Sequence, residues 1–181
     1  AGAMALSWSM DKIGPIARTA EDCALVFDAI RGPDGLDPTV TDAPFRLPDR
    51  RLFAQLRFGY LRKQFEGDYP ARANNAASLE TLRRLGAHLE PVELPPGPVD
   101  SLAFILSAEA AAAFDELTRS GGLDRMARQT RDAWPNVFRS ARFIPAVEYI
   151  QANRLRTQLI ADTNNLFANI DVLVAPAFEG D

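Results

Sequence analysis

Cysteine and histidine are almost missing: the 181-residue chain has one of each, Cys23 and His88. A single cysteine excludes an intramolecular disulfide framework and any cysteine-rich metal site. A single histidine excludes a His-rich metal cluster, and a Ser-His-Asp or Cys-His hydrolase would have to use His88 itself. No apolar run approaches the roughly 20 residues of a membrane span. Residues 1–10 have no basic stretch ahead of their apolar letters, so no secretory signal is read there and a cytoplasmic location is expected. Positive charge is in deficit, with 20 Lys and Arg against 24 Asp and Glu and a net charge of −4, which gives no reason to expect nucleic-acid binding. The chain has no G-x-G-x-x-G, P-loop, H-E-x-x-H or C-x-x-C, so no cofactor and no metal are expected. What is present is ordinary for a globular protein: 47% hydrophobic and 24% charged residues.

The length suits one domain over residues 1–181, large enough to bury a core. Both ends read as cut edges. Ala1-Gly2-Ala3-Met4 runs directly into an apolar stretch, and a strand-like Asp171-Val172-Leu173-Val174 lies close to the last residue. The expectation is therefore a truncated part of a larger domain.

Thr19 is a good N-cap, and Glu21 and Asp22 put negative charge into the first turn of a helix, where the free N–H groups favour it. Cys23, Val26, Phe27 and Ile30 then recur at helical spacing, and Gly32-Pro33 ends the helix. Residues 32–50 hold four prolines and four aspartates and read as a long connection. Residues 56–61 predict a strand, 71–85 a helix with Gly86 as its C-cap, and 87–94 a second strand in which Pro91 points to an edge or bulge. Strand, helix, strand at this distance predicts a parallel, right-handed βαβ unit. Residues 98–119 predict an alanine-rich helix ended by Ser120-Gly121-Gly122. Residues 123–143 read as basic and irregular, with a turn at Trp134-Pro135. Pro145 opens a long helix to about Ala168, and 170–174 form a last strand. The class is α/β with a mixed or parallel sheet covered by helices.

Paired carboxylates occur at Glu21/Asp22, Asp34/Asp37 and Asp115/Glu116, and each reads as a structural device rather than an acid–base pair. His88 falls at a strand start with no serine or acid spaced for a triad, and reads as an edge histidine. The segment Ser7-Trp8-Ser9-Met10-Asp11-Lys12-Ile13-Gly14-Pro15 stands apart, gathering two hydroxyls, a carboxylate and an amine in one loop. Ser9 and Asp11 are expected to hydrogen-bond nearby backbone. A Ser9–Lys12 dyad is conceivable because a desolvated lysine can act as a base, but loop neighbours seldom meet with that geometry.

Residues 6–32, LSWSMDKIGPIARTAEDCALVFDAIRG, resemble the amidase signature family, which shows S-x-D-x-x-G-P, then A-R-[ST]-x-x-D, a helix, and a Gly/Asp/Pro turn matched here by Gly32–Pro38. The resemblance continues in order through the strand Leu56–Leu61, the helix Glu109–Leu117, the helix start Arg142–Ala152 and the strand Asp171–Pro176. It implies an α/β/α sandwich and an amide hydrolase. In that family one serine attacks the carbonyl, a second serine in a cis peptide relays protons, a lysine is the base, and backbone N–H groups hold the oxyanion. The family's Gly-Gly-Ser-Ser-Gly-Gly signature and lysine lie before the S-x-D-x-x-G-P block, so no residue here takes a catalytic role. The resemblance implies instead part of the wall and mouth of a cleft for a small-molecule amide. Asp11, Gly14 and Pro15 are the candidate substrate-binding positions, fixing the loop beside the site, and residues 98–145 shape the pocket. No membrane or nucleic-acid partner is implied, and a homo-oligomer is compatible. Two alternatives stand beside this. One is the A subunit of a tRNA-dependent amidotransferase, for which a Tyr-rich helix would be expected where Ala110–Phe114 stands. The other is a non-catalytic α/β interaction module.

Overall fold

The computed structural model describes residues 3–37, 40–47 and 49–176. It divides into two compact units: residues 1–47 with 98–154, and residues 48–97 with 155–181.

The second unit holds the sheet. β1 (Arg57–Tyr60) lies between β2 (His88–Pro91) and β3 (Val172–Val174), in the order β2-β1-β3, and both pairings are parallel. Phe58 faces Leu89 on one side and Val172 on the other. The α/β class expected from the sequence is thus what the chain adopts, with β1–α–β2 as its central unit. Pro91 falls at the end of β2, an outer strand of these three, where its missing N–H costs no ladder bond. The connection from β1 to β2 carries two helices, a short one at Arg62–Glu66 and a longer one at Arg72–Arg84. Gly86 ends the second at φ +95°, a conformation that glycine enters without strain. Among the described residues of this unit, Phe58, Leu61, Phe65, Leu79, Ala87 and Ile170 are buried apolar side chains. Arg57 ties β1 to the start of β3: its backbone N–H, Nε and Nη2 donate to the Asp171 carboxylate at 2.7–3.1 Å, and its Nη1 donates to the Ala168 carbonyl.

The first unit is helical. In chain order its helices are α1 (Ala20–Ile30), α4 (Phe104–Ala113), α5 (Asp115–Arg119), α6 (Trp134–Ala141) and the part of α7 (Ala146–Phe167) up to Arg154; the two helices between β1 and β2 are α2 and α3. Thr19 caps α1 as expected, its hydroxyl accepting from the Asp22 N–H at 3.0 Å. The apolar stripe of α1 is not buried: Val26 and Ile30 stay exposed, and Phe27 packs edge-on against Phe45.

Two expectations in this unit are corrected. The helix expected over 98–119 is broken, because Phe114 leaves helical geometry between α4 and α5. The Trp134-Pro135 turn is instead the first turn of α6, where a proline lacks only an N–H that would have had no helical partner. The core follows from both. Ala110, Leu123 and Phe138 are buried together, with Leu6, Phe114, Leu117 and Met126 packed around them. The Phe114 and Phe138 rings stack at 4.8 Å, so the break after α4 places an aromatic ring against α6.

Candidate functional site

All the residues of the candidate site lie in the first unit, where α4, α7 and the loop at residues 6–11 come together. Glu109 sits on α4 in an otherwise apolar run, Leu102 to Phe114, broken only by Ser107 and itself. It is 4% exposed, and a carboxylate so buried is tolerated only when its oxygens are satisfied. Four donors do this. Ser7 Oγ donates to Oε2 at 2.5 Å, and the Ser9 N–H reaches the same oxygen at 3.2 Å. Ser9 Oγ donates to Oε1 at 2.7 Å, and Tyr149 Oη on α7 donates to it at 3.0 Å. Four donors match the roughly four lone-pair sites of a carboxylate. Burial pushes the Glu109 carboxyl up, but the hydrogen bonds from Ser7, Ser9 and Tyr149 outweigh it and hold the group below its ordinary value. Glu109 is therefore an anion at neutral pH.

The loop is fixed from inside as well. Asp11 Oδ2 accepts the backbone N–H of Leu6 at 2.6 Å and of Ser7 at 3.1 Å, and the N–H groups of Met10 and Asp11 close a turn onto the Ser7 carbonyl. Asp11 acts on nearby backbone as the sequence predicts, whereas the Ser9 hydroxyl reaches a side chain 100 residues away. Lys12 Nζ donates to the carbonyls of Met10 and Asp11, while the Ser9 hydroxyl donates to Glu109. Gly14 has open space around it, and the Pro15 carbonyl accepts from Cys23 Sγ at 3.7 Å, next to α1. Of the three substrate-binding candidates, only Asp11 is thus brought to the Ser7–Glu109 network.

Beside the network lies a cleft of about 340 Å³, lined by Trp8, Ala108, Glu109, Ala112, Ala141, Ile144, Ala146 and Tyr149. Apart from Trp8, these lie in or next to the stretch expected to shape a pocket. Sequence reasoning missed Glu109 and Tyr149 as site residues. A carboxylate inside an apolar helical run was a signal, since such a group must be paired. Nothing in the sequence named its partners. Among the described residues there is no cluster of metal-ligating side chains and no helix long and apolar enough to cross a membrane.

The Amidase family profile matches residues 1–180. The chain belongs to the amidase signature family. It is 30% identical over 186 residues to an amidase of Pseudomonas putida, spanning 97% of this chain and 38% of that protein. It is 28% identical over 202 residues to the A subunit of a glutamyl-tRNA(Gln) amidotransferase from Roseiflexus sp. (strain RS-1), again over 97% of this chain and 41% of the relative. Among solved structures it matches, with a TM-score of 0.70 and 29% identity, a chain of an inhibitor-bound vestigial protein complex connected with the origins of an s-triazine catabolic enzyme; the match covers 91% of this chain and 35% of that one. A bacterial aryl acylamidase of the amidase signature family shares the fold at a TM-score of 0.68 and 23% identity. The chain thus spans about two fifths of the curated relatives it matches. Ser7 and Ser9, which Glu109 holds, lie within residues 6–32, the first stretch to carry the resemblance.

Proposed function

We propose that this chain is part of an enzyme that hydrolyses the carbon–nitrogen bond of a small amide, and that its first unit supplies a wall of the substrate cleft. The observation that carries the reading is the Glu109 brace. The loop bearing the family's S-x-D-x-x-G-P pattern is held by an ionised carboxylate at the edge of a cleft of ligand size. In this reading Glu109 and Asp11 are positioning residues, and Gly14 and Pro15 set the path of the loop as it leaves the site. The attacking serine, the relay serine and the base belong to a segment preceding this chain in the gene, and the whole acts without metal or cofactor in a soluble, cytoplasmic enzyme.

Two experiments test this. The coding sequence upstream of Ala1 should encode a lysine followed by a Gly/Ser-rich segment, and the extended protein should release ammonia or amine from small amides. The 181-residue chain alone should show no stoichiometric labelling by a fluorophosphonate. An unrelated upstream domain, or specific labelling of the short chain, would overturn the reading.

The second reading, the A subunit of an amidotransferase, is favoured by the relatives of that name, which are as similar as the amidase. It predicts that the extended protein hydrolyses amides only when its partner proteins are added.

A further inference from the structure

Glu109 is a buried anion without a counter-ion. Its two oxygens accept from Ser7, Ser9 and Tyr149, all neutral donors, and among the described residues no arginine, lysine or histidine pairs with it. The cations nearest along the chain are held elsewhere. Lys12 Nζ donates to the carbonyls of Met10 and Asp11, Arg142 pairs with Asp115, and Arg139 pairs with Asp124. A glutamate this buried is as a rule paired with a cation. Neutral donors stabilise the carboxylate but leave its net negative charge in place, and that charge lies in the wall of the cleft, where screening is weak. The rest of the cleft suits a cation of one kind. Four alanines and Ile144 line it together with Trp8 and Tyr149. Aliphatic walls accept methyl groups, and aromatic rings attract a cation brought against them. The acceptor sites of Glu109 are already in use, so the attraction it still exerts is between charges and requires no N–H on the ligand. An alkylated ammonium group has this combination, a full positive charge under an apolar surface.

Resting on the amide-hydrolase reading, we propose that the cleft binds an alkylated ammonium group carried by the substrate amide, and that Glu109, besides bracing the loop, selects for its charge.

The test uses two amides of one shape, 2-(trimethylammonio)acetamide and 3,3-dimethylbutanamide, in which a positive nitrogen replaces a neutral carbon. Binding to the 181-residue chain is followed by NMR through the backbone amides of Ala108 and Ala112 and the Trp8 indole N–H. The expected result is saturable shifts with the cationic amide, at a Kd at least about tenfold below that of the neutral one. Glu109→Gln should bring the two amides within about twofold of each other. Because that variant is expected to lose stability, Trp8→Ala supplies a second check. The Trp8 side chain is 73% exposed, so the melting temperature should hold while affinity for the cationic amide falls about threefold or more. A neutral amide that binds as tightly as the cationic one would overturn the proposal. So would the absence of saturable binding of the cationic amide, a charge preference that survives in folded Glu109→Gln, or a Trp8→Ala variant that binds as before. Because binding is read without turnover, the two readings fail separately. A preference for the cationic amide in a protein whose extended form hydrolyses neither would keep the cation site and remove the amidase. Hydrolysis of both amides without any preference in binding would remove the cation site alone.

Discussion

The Glu109 carboxylate accepts four hydrogen bonds. Its two oxygens join three parts of the chain: Ser7 and Ser9 on the loop, α4, and Tyr149 on α7. Glu109→Gln keeps the shape but removes the charge and replaces one acceptor oxygen with an NH2 donor, so the hydroxyls facing it must turn from donating to accepting. The variant is expected to lose about 1–3 kcal/mol of unfolding free energy, measured by urea titration at neutral pH. An unchanged midpoint would show that the brace carries no net stability. The pH dependence has a fixed sign. Because the folded-state value lies below the ordinary one, the contribution is complete above the unfolded value of about 4.5 and is lost as pH falls through the lower folded value. Glu109→Gln should therefore be less sensitive than the parent to acid in that window.

Among the elements, the β1–β3 pair shows the same logic on an exposed side. Arg57 holds the Asp171 carboxyl at about 2, first through its side-chain hydrogen bonds and then through its backbone N–H. The stability this adds is present above 3.8 and is lost as pH falls toward 2. Asp171→Asn should flatten the acid limb of a thermal-melt profile in that range, and should do so less at high salt, because both partners are solvent-exposed. A profile unchanged by the substitution would count against the tie. Gly59 tests the packing of β1 itself. A Cβ there would stand 2.9 Å from Ile170 Cδ1 and 3.0 Å from both Val92 methyls, so Gly59→Ala should destabilise by about 1–3 kcal/mol in the same titration. These elements were legible in the sequence because their signals are local: an N-cap at Thr19, a C-cap at Gly86, apolar strands and a proline that opens α7. α6 was missed because its arginine-rich surroundings and Trp134-Pro135 read as a turn, although Trp134, Val137, Phe138 and Ala141 carry helical spacing. The partners of Glu109 were not legible at all, since they lie 102, 100 and 40 residues away and only tertiary packing brings them together.

For the whole molecule, what matters is how much apolar surface each unit leaves in water. In the first unit Leu25, Val26, Phe27 and Ile30 of α1 are exposed, with Phe143, Val147 and Ile150 farther along the chain. In the second unit Leu85 and, on α7, Leu155, Ile160 and Phe167 are exposed. Single exposed apolar residues are ordinary, but a helix of which no residue is buried retains little of the stabilisation that its apolar stripe would provide against a partner surface. The 181-residue chain is accordingly expected to bind a hydrophobic dye such as ANS and to self-associate as its concentration rises, with the weight-average mass in sedimentation velocity climbing above that of the monomer. Placing charge on the stripe of α1, for example Val26→Lys with Ile30→Glu, should lower both readouts without lowering the melting temperature, because neither side chain is buried. A chain that stays monomeric across the concentration series and unfolds in one sharp transition would favour the interaction-module reading, in which these faces are an ordinary surface. Association relieved by the α1 substitutions would favour an enzyme domain whose apolar faces are normally covered.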